Sequence, residues 1–378
     1  MAGVSVVVTG GAGYIGAHIV RLLLERGDDV VVLDDLATGR AERTGHARLI
    51  RADLADPAVA PTLARAMEGA DAVIHLAARK QVGESVQRPL WYFQQNLGGL
   101  ANLLRAVQLA SVPRLVFSSS AAVYGAPNPP ADAGTHSPAK LTAPPANPPP
   151  APALPTAPPG AAAPGTPAPG TPTADAGTHS TPFTPQPIPE TTPLAPINPY
   201  GQTKAAGEWL AHDVAASSDL RLACLRYFNV AGAGWADLGD PAALNLIPMV
   251  FERLTAGQPP VVFGDDYPTP DGSCIRDYVH VMDLAHAHLV ALDYLDRPTR
   301  PATVFNVGTG TGASVKQVIA EAARVTGISI PPTIAPRRPG DPPALVADPS
   351  TMTQTMGWRA HRTLPDIVTS AWEAWKTR

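Results

Sequence analysis

Apolar positions in the first 120 residues fall into short, nearly unbroken runs at Val4 to Val8, Val30 to Leu33, Leu49 to Leu54, Ala72 to Ala78 and Arg114 to Ser118. Runs of this length, rich in β-branched residues, predict strands covered on both faces, as in a parallel sheet. The stretches between them change period. Ile19 to Leu24 repeats at helical spacing, and Pro89 to Ala110 reads as one long helix. Strand alternating with helix implies an α/β fold built on a doubly wound parallel sheet.

Beyond Asn229 the pattern shortens and mixes. Helices are expected over Leu244 to Leu254 and Tyr278 to Tyr294, and strands at Val261 to Phe263 and Thr303 to Val307. Ser314 and Thr363 stand as N-caps for helices reaching Val325 and Trp375. Trp358, Trp372 and Trp375 read as packing residues. The chain divides on this reading into a sheet domain, 1–228, and a smaller mixed α/β substrate domain, 229–378.

One segment fits neither period. Residues 126–190 hold 21 prolines with much Ala, Thr and Gly and almost no charge. Such a composition buries too little apolar surface to offset its ordering entropy, so a disordered or polyproline II insertion is expected. Asp-Ala-Gly-Thr-His-Ser occurs at 132–137 and again at 175–180, a local duplication with no ligand pattern. A docking arm for a proline-reading partner is the functional alternative to a tolerated surface insertion.

Composition narrows the chemistry. The 378 residues carry a net charge of −4 without acidic or basic blocks, which gives no footprint for nucleic acid or an anionic membrane. Cys224 and Cys274 form neither a disulfide framework nor metal-ligand spacing, and no metal is expected. No signal peptide or membrane-spanning run is read, so the cytoplasm is the expected location.

The first strand leads into Thr9-Gly-Gly-Ala-Gly-Tyr-Ile-Gly16, then a helix. Gly10, Gly13 and Gly16 let the backbone turn tightly and approach a pyrophosphate at the helix N-terminus, with Tyr14 and Ile15 between them. The second strand ends at Asp34, where a carboxylate accepts from the ribose hydroxyls of NAD and repels the added phosphate of NADP. This is a Rossmann-type dinucleotide site. Asp53, beside Leu54, is placed at the adenine. Lys80 lies past the carboxyl end of the fourth strand, where open α/β sheets bind ligands, and Asn96 is a further candidate. His75 reads as a packed strand histidine. Asn198-Pro199 opens a helix that sets Tyr200 and Lys204 one turn apart on one face. An ammonium beside a phenol lowers its pKa and makes Tyr200 a candidate base.

Longer stretches then carry a resemblance. Lys80-Gln-Val-Gly-Glu-Ser85, Phe117-Ser-Ser-Ser-Ala-Ala-Val-Tyr-Gly125, Pro199-Tyr-Gly-Gln-Thr-Lys204, Leu225-Arg-Tyr-Phe-Asn229, Phe263-Gly-Asp-Asp-Tyr-Pro268, Arg276-Asp-Tyr-Val-His-Val-Met-Asp-Leu-Ala285 and Ala335-Pro-Arg-Arg-Pro-Gly-Asp341 stand in order. The chain resembles the extended short-chain dehydrogenase/reductases, and among them the UDP-glucose 4-epimerases, across almost everything outside the insertion. The resemblance implies a homodimer with captive NAD that interconverts UDP-glucose and UDP-galactose through a transient 4-keto sugar. It makes Tyr200 the base, Ser120 its hydrogen-bonding partner on the reacting hydroxyl, and Lys204 a ligand of the nicotinamide ribose. It assigns Asn229, Asn245, Phe263, Arg276, Arg338 and Asp341 to the UDP-sugar. Guanidinium groups suit a diphosphate because they pair bidentately with it.

Departures bear on the substrate. Related 4,6-dehydratases carry an Asp-Glu pair after the catalytic hydroxyl, and this chain has Ala121 and Ala122 there. Val230 replaces a common Pro, and Trp235 is unusual. Leu345 occupies the position whose size governs entry of an N-acetyl group, and Leu is intermediate. UDP-N-acetylhexosamines or UDP-pentoses are therefore the alternative substrates, and a non-catalytic NAD-binding regulator is the alternative of another class.

Overall fold

The N-terminal apolar runs become parallel strands because each is flanked by a helix that covers it. The computed structural model describes residues 3–126, 184–300, 303–338 and 341–378. The first half gives β1 (Ser5–Thr9), α1 (Tyr14–Arg26), β2 (Asp29–Asp34), β3 (Arg48–Arg51), α2 (Ala60–Ala66), β4 (Ala72–His75), α3 (Val82–Gln87), α4 (Pro89–Tyr92), α5 (Gly99–Leu109) and β5 (Arg114–Ser120). The second gives α6 (Pro199–Ala216), β6 (Arg221–Tyr227), β7 (Asn229–Ala231), α7 (Leu246–Thr255), β8 (Val261–Phe263), β9 (Ile275–His280), α8 (Val281–Leu295) and β10 (Val304–Val307). It closes with β11 (Gly312–Ser314), α9 (Val315–Thr326), β12 (Thr333–Ala335), β13 (Ala344–Leu345), α10 (Ser350–Met356) and α11 (Leu364–Trp375).

Seven strands form one sheet in the order β10-β6-β5-β4-β1-β2-β3, every pair parallel. This is the doubly wound order, and the strand sequence reverses between β1 and β4, which opens a crevice at their carboxyl ends. One core lies under α1 and α8, with Ile19, Leu23, Leu284 and Ala291 against Val6, Val8 and Val116. The other lies under α2 and α5, with Leu63, Leu100 and Leu103 against Val7, Val73 and Leu115. Chain after residue 229 thus serves both layers: α8 and β10 join the large sheet, and the remainder builds a smaller lobe. There β9 pairs with β7, β11 and β13, and β8 pairs with β12. Phe251, Trp372 and Trp375 pack in that lobe's own core, and Trp358 is buried with α8.

The long helix expected over 89–110 is present as α4, a π-helical turn at Phe93–Gly98 and α5 in unbroken succession, with Asn96 buried in the π-helical turn. Two expectations change. The helix expected from Tyr278 starts at Val281, because Tyr278, Val279 and His280 complete β9 and His280 caps α8 through the Met282 N–H. The insertion is shorter than 126–190 at its far end. Ile188 is buried and bridges to Ala347, and the Glu190 carboxylate accepts from the Asn306 N–H and the Thr351 hydroxyl. The expected disorder of the rest, and both copies of its hexapeptide, lie outside the described residues.

Candidate active site

The glycine turn is a fitted part. Gly10 has φ of 72° and its Cα lies against the backbone of Ala77, where a Cβ would come within 2.7 Å of the Ala77 nitrogen. A Cβ on Gly16 would stand 2.1 Å from the Gly10 oxygen. Gly13 is the N-cap of α1 with no side-chain bond, and the first turn holds no acidic residue, so the helix N-terminus is left for an anion. Asp34 is buried at the end of β2 and accepts from the N–H groups of Ala12 (3.0 Å) and Leu36 (2.8 Å). Burial raises its carboxyl pKa while those two bonds hold it down.

A cleft of about 370 Å³ opens here. Every residue assigned to the cofactor from the sequence lines it: Gly10, Gly13, Tyr14, Ile15, Gly16, Asp34, Asp53, Leu54, Lys80, Asn96, Tyr200 and Lys204. The glycine cradle, the ribose-side carboxylate and the open helix terminus fit a dinucleotide. Asn96 is largely used by the protein. Its amide donates to the Arg79 carbonyl and the Thr203 hydroxyl and accepts from the Arg79 N–H. His75 packs as expected, bonded to Thr9 and stacked on Phe117, and burial lowers its pKa to about 3.

The residues expected to act in catalysis come from both sides of the insertion. Asn198 caps α6 through the Gly201 N–H at 2.8 Å, and the helix delivers Tyr200 and Lys204 to the end of β5. The Ser120 hydroxyl accepts from the Ala122 N–H at 3.2 Å and stands close enough to the Tyr200 phenol to lower its pKa. The expected lowering of that phenol by Lys204 does not occur. Burial raises the Tyr200 pKa, the nearby Ser120 hydroxyl opposes it, and the Lys204 ammonium is engaged elsewhere. It donates to the Ser118 carbonyl at 2.6 Å and the Ser118 hydroxyl at 3.2 Å. Tyr200 retains some exposure as a whole residue, but its hydroxyl end is desolvated and sets the direction of the shift. Lys204 itself is pushed down to about 8 by burial, with Glu208 pulling the other way.

Beneath this set lies a network the sequence did not reveal. Glu208, one turn beyond Lys204, accepts from Ser119 and from Arg226 through both oxygens. Arg226 also donates to Tyr124 and to the Glu190 carbonyl, and Tyr124 donates to Asn306. Four strands and helices and the chain returning from the insertion are tied under the site. Tyr227 lines the cleft and bonds buried His288. Arg79, Trp91 and Gln95 line it as well. Arg79 was open to notice, since it stands beside Lys80 at a carboxyl strand end.

The residues assigned to the UDP-sugar group differently. Arg276 donates to Asp341 at 2.5 Å and to the carbonyls of Ile275 and Pro342. The Arg338 guanidinium lies 4.0 Å over the Phe263 ring. Asn245 bonds Asp240, whose loop lines the cofactor cleft, and Asn229 is exposed on β7 opposite Tyr278. Tyr14 of the glycine turn bonds the Gly232 carbonyl and so joins the two lobes.

Comparison with known proteins shows the family. The model of the NAD dependent epimerase/dehydratase family matches residues 6–148 and 176–308. A UDP-glucose 4-epimerase of Lactobacillus helveticus is 38% identical over 97% of this chain and 96% of its own length. One of Azospirillum brasilense is also 38% identical, over 97% and 91%. Among solved structures, a UDP-glucose 4-epimerase of Stenotrophomonas maltophila with bound NAD and formylated UDP-arabinopyranose is similar with a TM-score of 0.78. It is 35% identical, covering 99% of this chain and 98% of that one. That of Bifidobacterium longum, in complex with NAD+ and UDP, gives 0.75 at 32% identity, covering 99% and 98%. The chain belongs to the NAD dependent epimerase/dehydratase family and groups within it with the UDP-glucose 4-epimerases.

Proposed function

We propose that the protein is an NAD-dependent 4-epimerase that interconverts UDP-glucose and UDP-galactose. The observation that carries this is that Tyr200 and Lys204 line the cleft of the glycine turn, with Ser120 acting on the Tyr200 phenol from the end of β5, on the other side of the insertion. Family membership supports the same reading. Bound NAD supplies the hydride acceptor and donor. The chain's own groups handle the proton. Tyr200 would take the proton of the sugar 4-hydroxyl and return it to the same oxygen after the 4-keto sugar has turned and been reduced at C4 on its other face, and Ser120 would orient the phenol and the reacting oxygen. Burial raises the Tyr200 pKa, and the nearby Ser120 hydroxyl is the group that favours the phenolate. Gly10, Gly13 and Gly16 with Asp34 hold the dinucleotide. In this reading residues 1–228, completed by α8 and β10, carry the cofactor, and the rest of 229–378 carries the nucleotide-sugar.

Arg276 and Arg338 take the diphosphate, Asp341 the uridine ribose, Phe263 the uracil, and Asn229 and Asn245 the phosphates and sugar. Arg276 reaches this role by exchanging Asp341 for phosphate, which a guanidinium accepts equally well. Leu345 is half-buried beside Ala121 and Phe228, and its intermediate size keeps UDP-N-acetylhexosamines as second substrates. The subunits pair as a homodimer in the cytoplasm. Val82, Val86, Leu90, Leu109 and Trp209 are exposed on α3 to α6, elements packed on one another, and light scattering reads the subunit number. No helix among the described residues is long and apolar enough to cross a membrane.

Incubation with a panel of UDP-sugars, followed by separation of the epimers, tests the activity. Tyr200→Phe is expected to retain the dinucleotide and lose roughly 10²- to 10⁴-fold in turnover. Unchanged turnover in that variant would remove the base from the scheme.

A further inference from the structure

Arg79 has an arrangement that the proton chemistry does not use. Its backbone is fixed at both ends, since the Asn96 amide accepts from its N–H at 2.8 Å and donates to its carbonyl at 3.0 Å. Its guanidinium reaches from the loop after β4 to the end of β2, donating to the Asp35 carboxylate at 2.5 Å. On its other side it donates to Gln95 from two nitrogens, at 2.9 and 3.1 Å, and lies 5.4 Å from the centre of the Trp91 ring. Asp35, Arg79, Trp91 and Gln95 all line the cleft beside Asp34, Asp53 and Leu54, the adenosine half of the dinucleotide site. Asp34 is buried, whereas the Arg79 and Asp35 side chains are 20% and 29% exposed, so water reaches the pair.

We propose that the Asp35–Arg79–Gln95 bridge is a latch that retains the dinucleotide by its adenosine end. This deepens the cofactor assignment and rests on it. An epimerase has no net redox change and gains nothing from releasing its cofactor, so a closed ion pair at the adenosine edge slows a step that the cycle does not need. The pair is partly exposed and so is sensitive to salt. Each of its partners comes from a different element, so opening it requires breaking charge-assisted bonds but no unfolding.

The test measures bound nucleotide, not turnover. Purified wild type, Arg79→Leu and Asp35→Asn are diluted, and the dinucleotide still held is followed over time by chromatography of what is released. Arg79→Leu is expected to lose it about tenfold faster, the scale of one charge-assisted hydrogen bond. Asp35→Asn is expected to do the same, and the double variant little more, since both remove one interaction. Added salt should speed release from wild type and leave Arg79→Leu unaffected. With excess NAD, kcat should hold while the KM for NAD rises. Equal retention by wild type and Arg79→Leu overturns the latch and leaves the cofactor assignment standing. A loss of kcat and melting temperature that excess NAD does not restore shows a structural tie and overturns it too. Wild type that carries and binds no dinucleotide overturns both.

Discussion

Arg226 and Arg276 each meet a carboxylate, Glu208 and Asp341, but in opposite surroundings. The first pair is enclosed, with side chains 5% and 3% exposed. The second is 11% and 29% exposed. Arg226 sends its donors to both Glu208 oxygens, to Tyr124 and to the Glu190 carbonyl, leaving no room for a ligand. Burial alone would lower its pKa, and Glu208 more than reverses that. Arg276 makes one bond to Asp341 and two to carbonyls, and its carboxylate partner is open to water. A guanidinium saturated inside the protein is framework, and one held by an exchangeable carboxylate can hand itself to a phosphate. The same chemistry supports the cleft from below in one lobe and leaves an arginine able to exchange its partner in the other.

Glu208→Gln breaks the enclosed pair and should have the largest effect on stability. It leaves a buried guanidinium without its counter-charge, at a cost of about 3–5 kcal/mol by denaturant unfolding. Arg276→Gln should cost much less in the same experiment, because water reaches Asp341. Its effect should appear in the KM for UDP-sugar, raised roughly 10- to 100-fold, the value of one or two charge-assisted bonds. Equal losses of stability in the two variants, or an unchanged KM for Arg276→Gln, would erase the distinction.

The two pairs also differed in how far the sequence disclosed them. The glycine turn, Asp34, Tyr200 and Lys204 were legible because local geometry dictates them. A tight turn needs glycine, a strand end needs a polar residue, and a capped helix sets two residues one turn apart. Arg276 and Asp341 were found only through resemblance, since an isolated arginine carries no local signature. Glu208 and Arg226 were not found at all, because their partnership joins α6 to β6 and depends on tertiary approach. The same reason explains Asn96. A period-based reading placed it mid-helix, and the π-helical turn that points it inward has no periodic signal. The error over Tyr200 was of another kind. Sequence spacing put the ammonium near the phenol, but Ser118, on a strand far away in the chain, claims that ammonium first.

Lys204 gives the most specific prediction. Its folded pKa is lowered to about 8 from an unfolded value of 10.5, mainly by burial, with Glu208 in opposition. Between those two values the unfolded chain binds more protons at this position than the folded one. Stability due to this group therefore rises with pH from 8 toward 10.5 and is flat below and above that window. Lys204→Met removes the group. Wild-type melting temperature should climb relative to that variant across the window, whatever their offset at pH 7. In the Glu208→Gln background the rise should begin at lower pH, because the charge that held the Lys204 pKa up has gone. A difference between wild type and Lys204→Met that stays constant from pH 8 to 10.5 would mean that the ammonium is not desolvated in the folded protein. The enclosed half of the comparison would then lose its electrostatic basis.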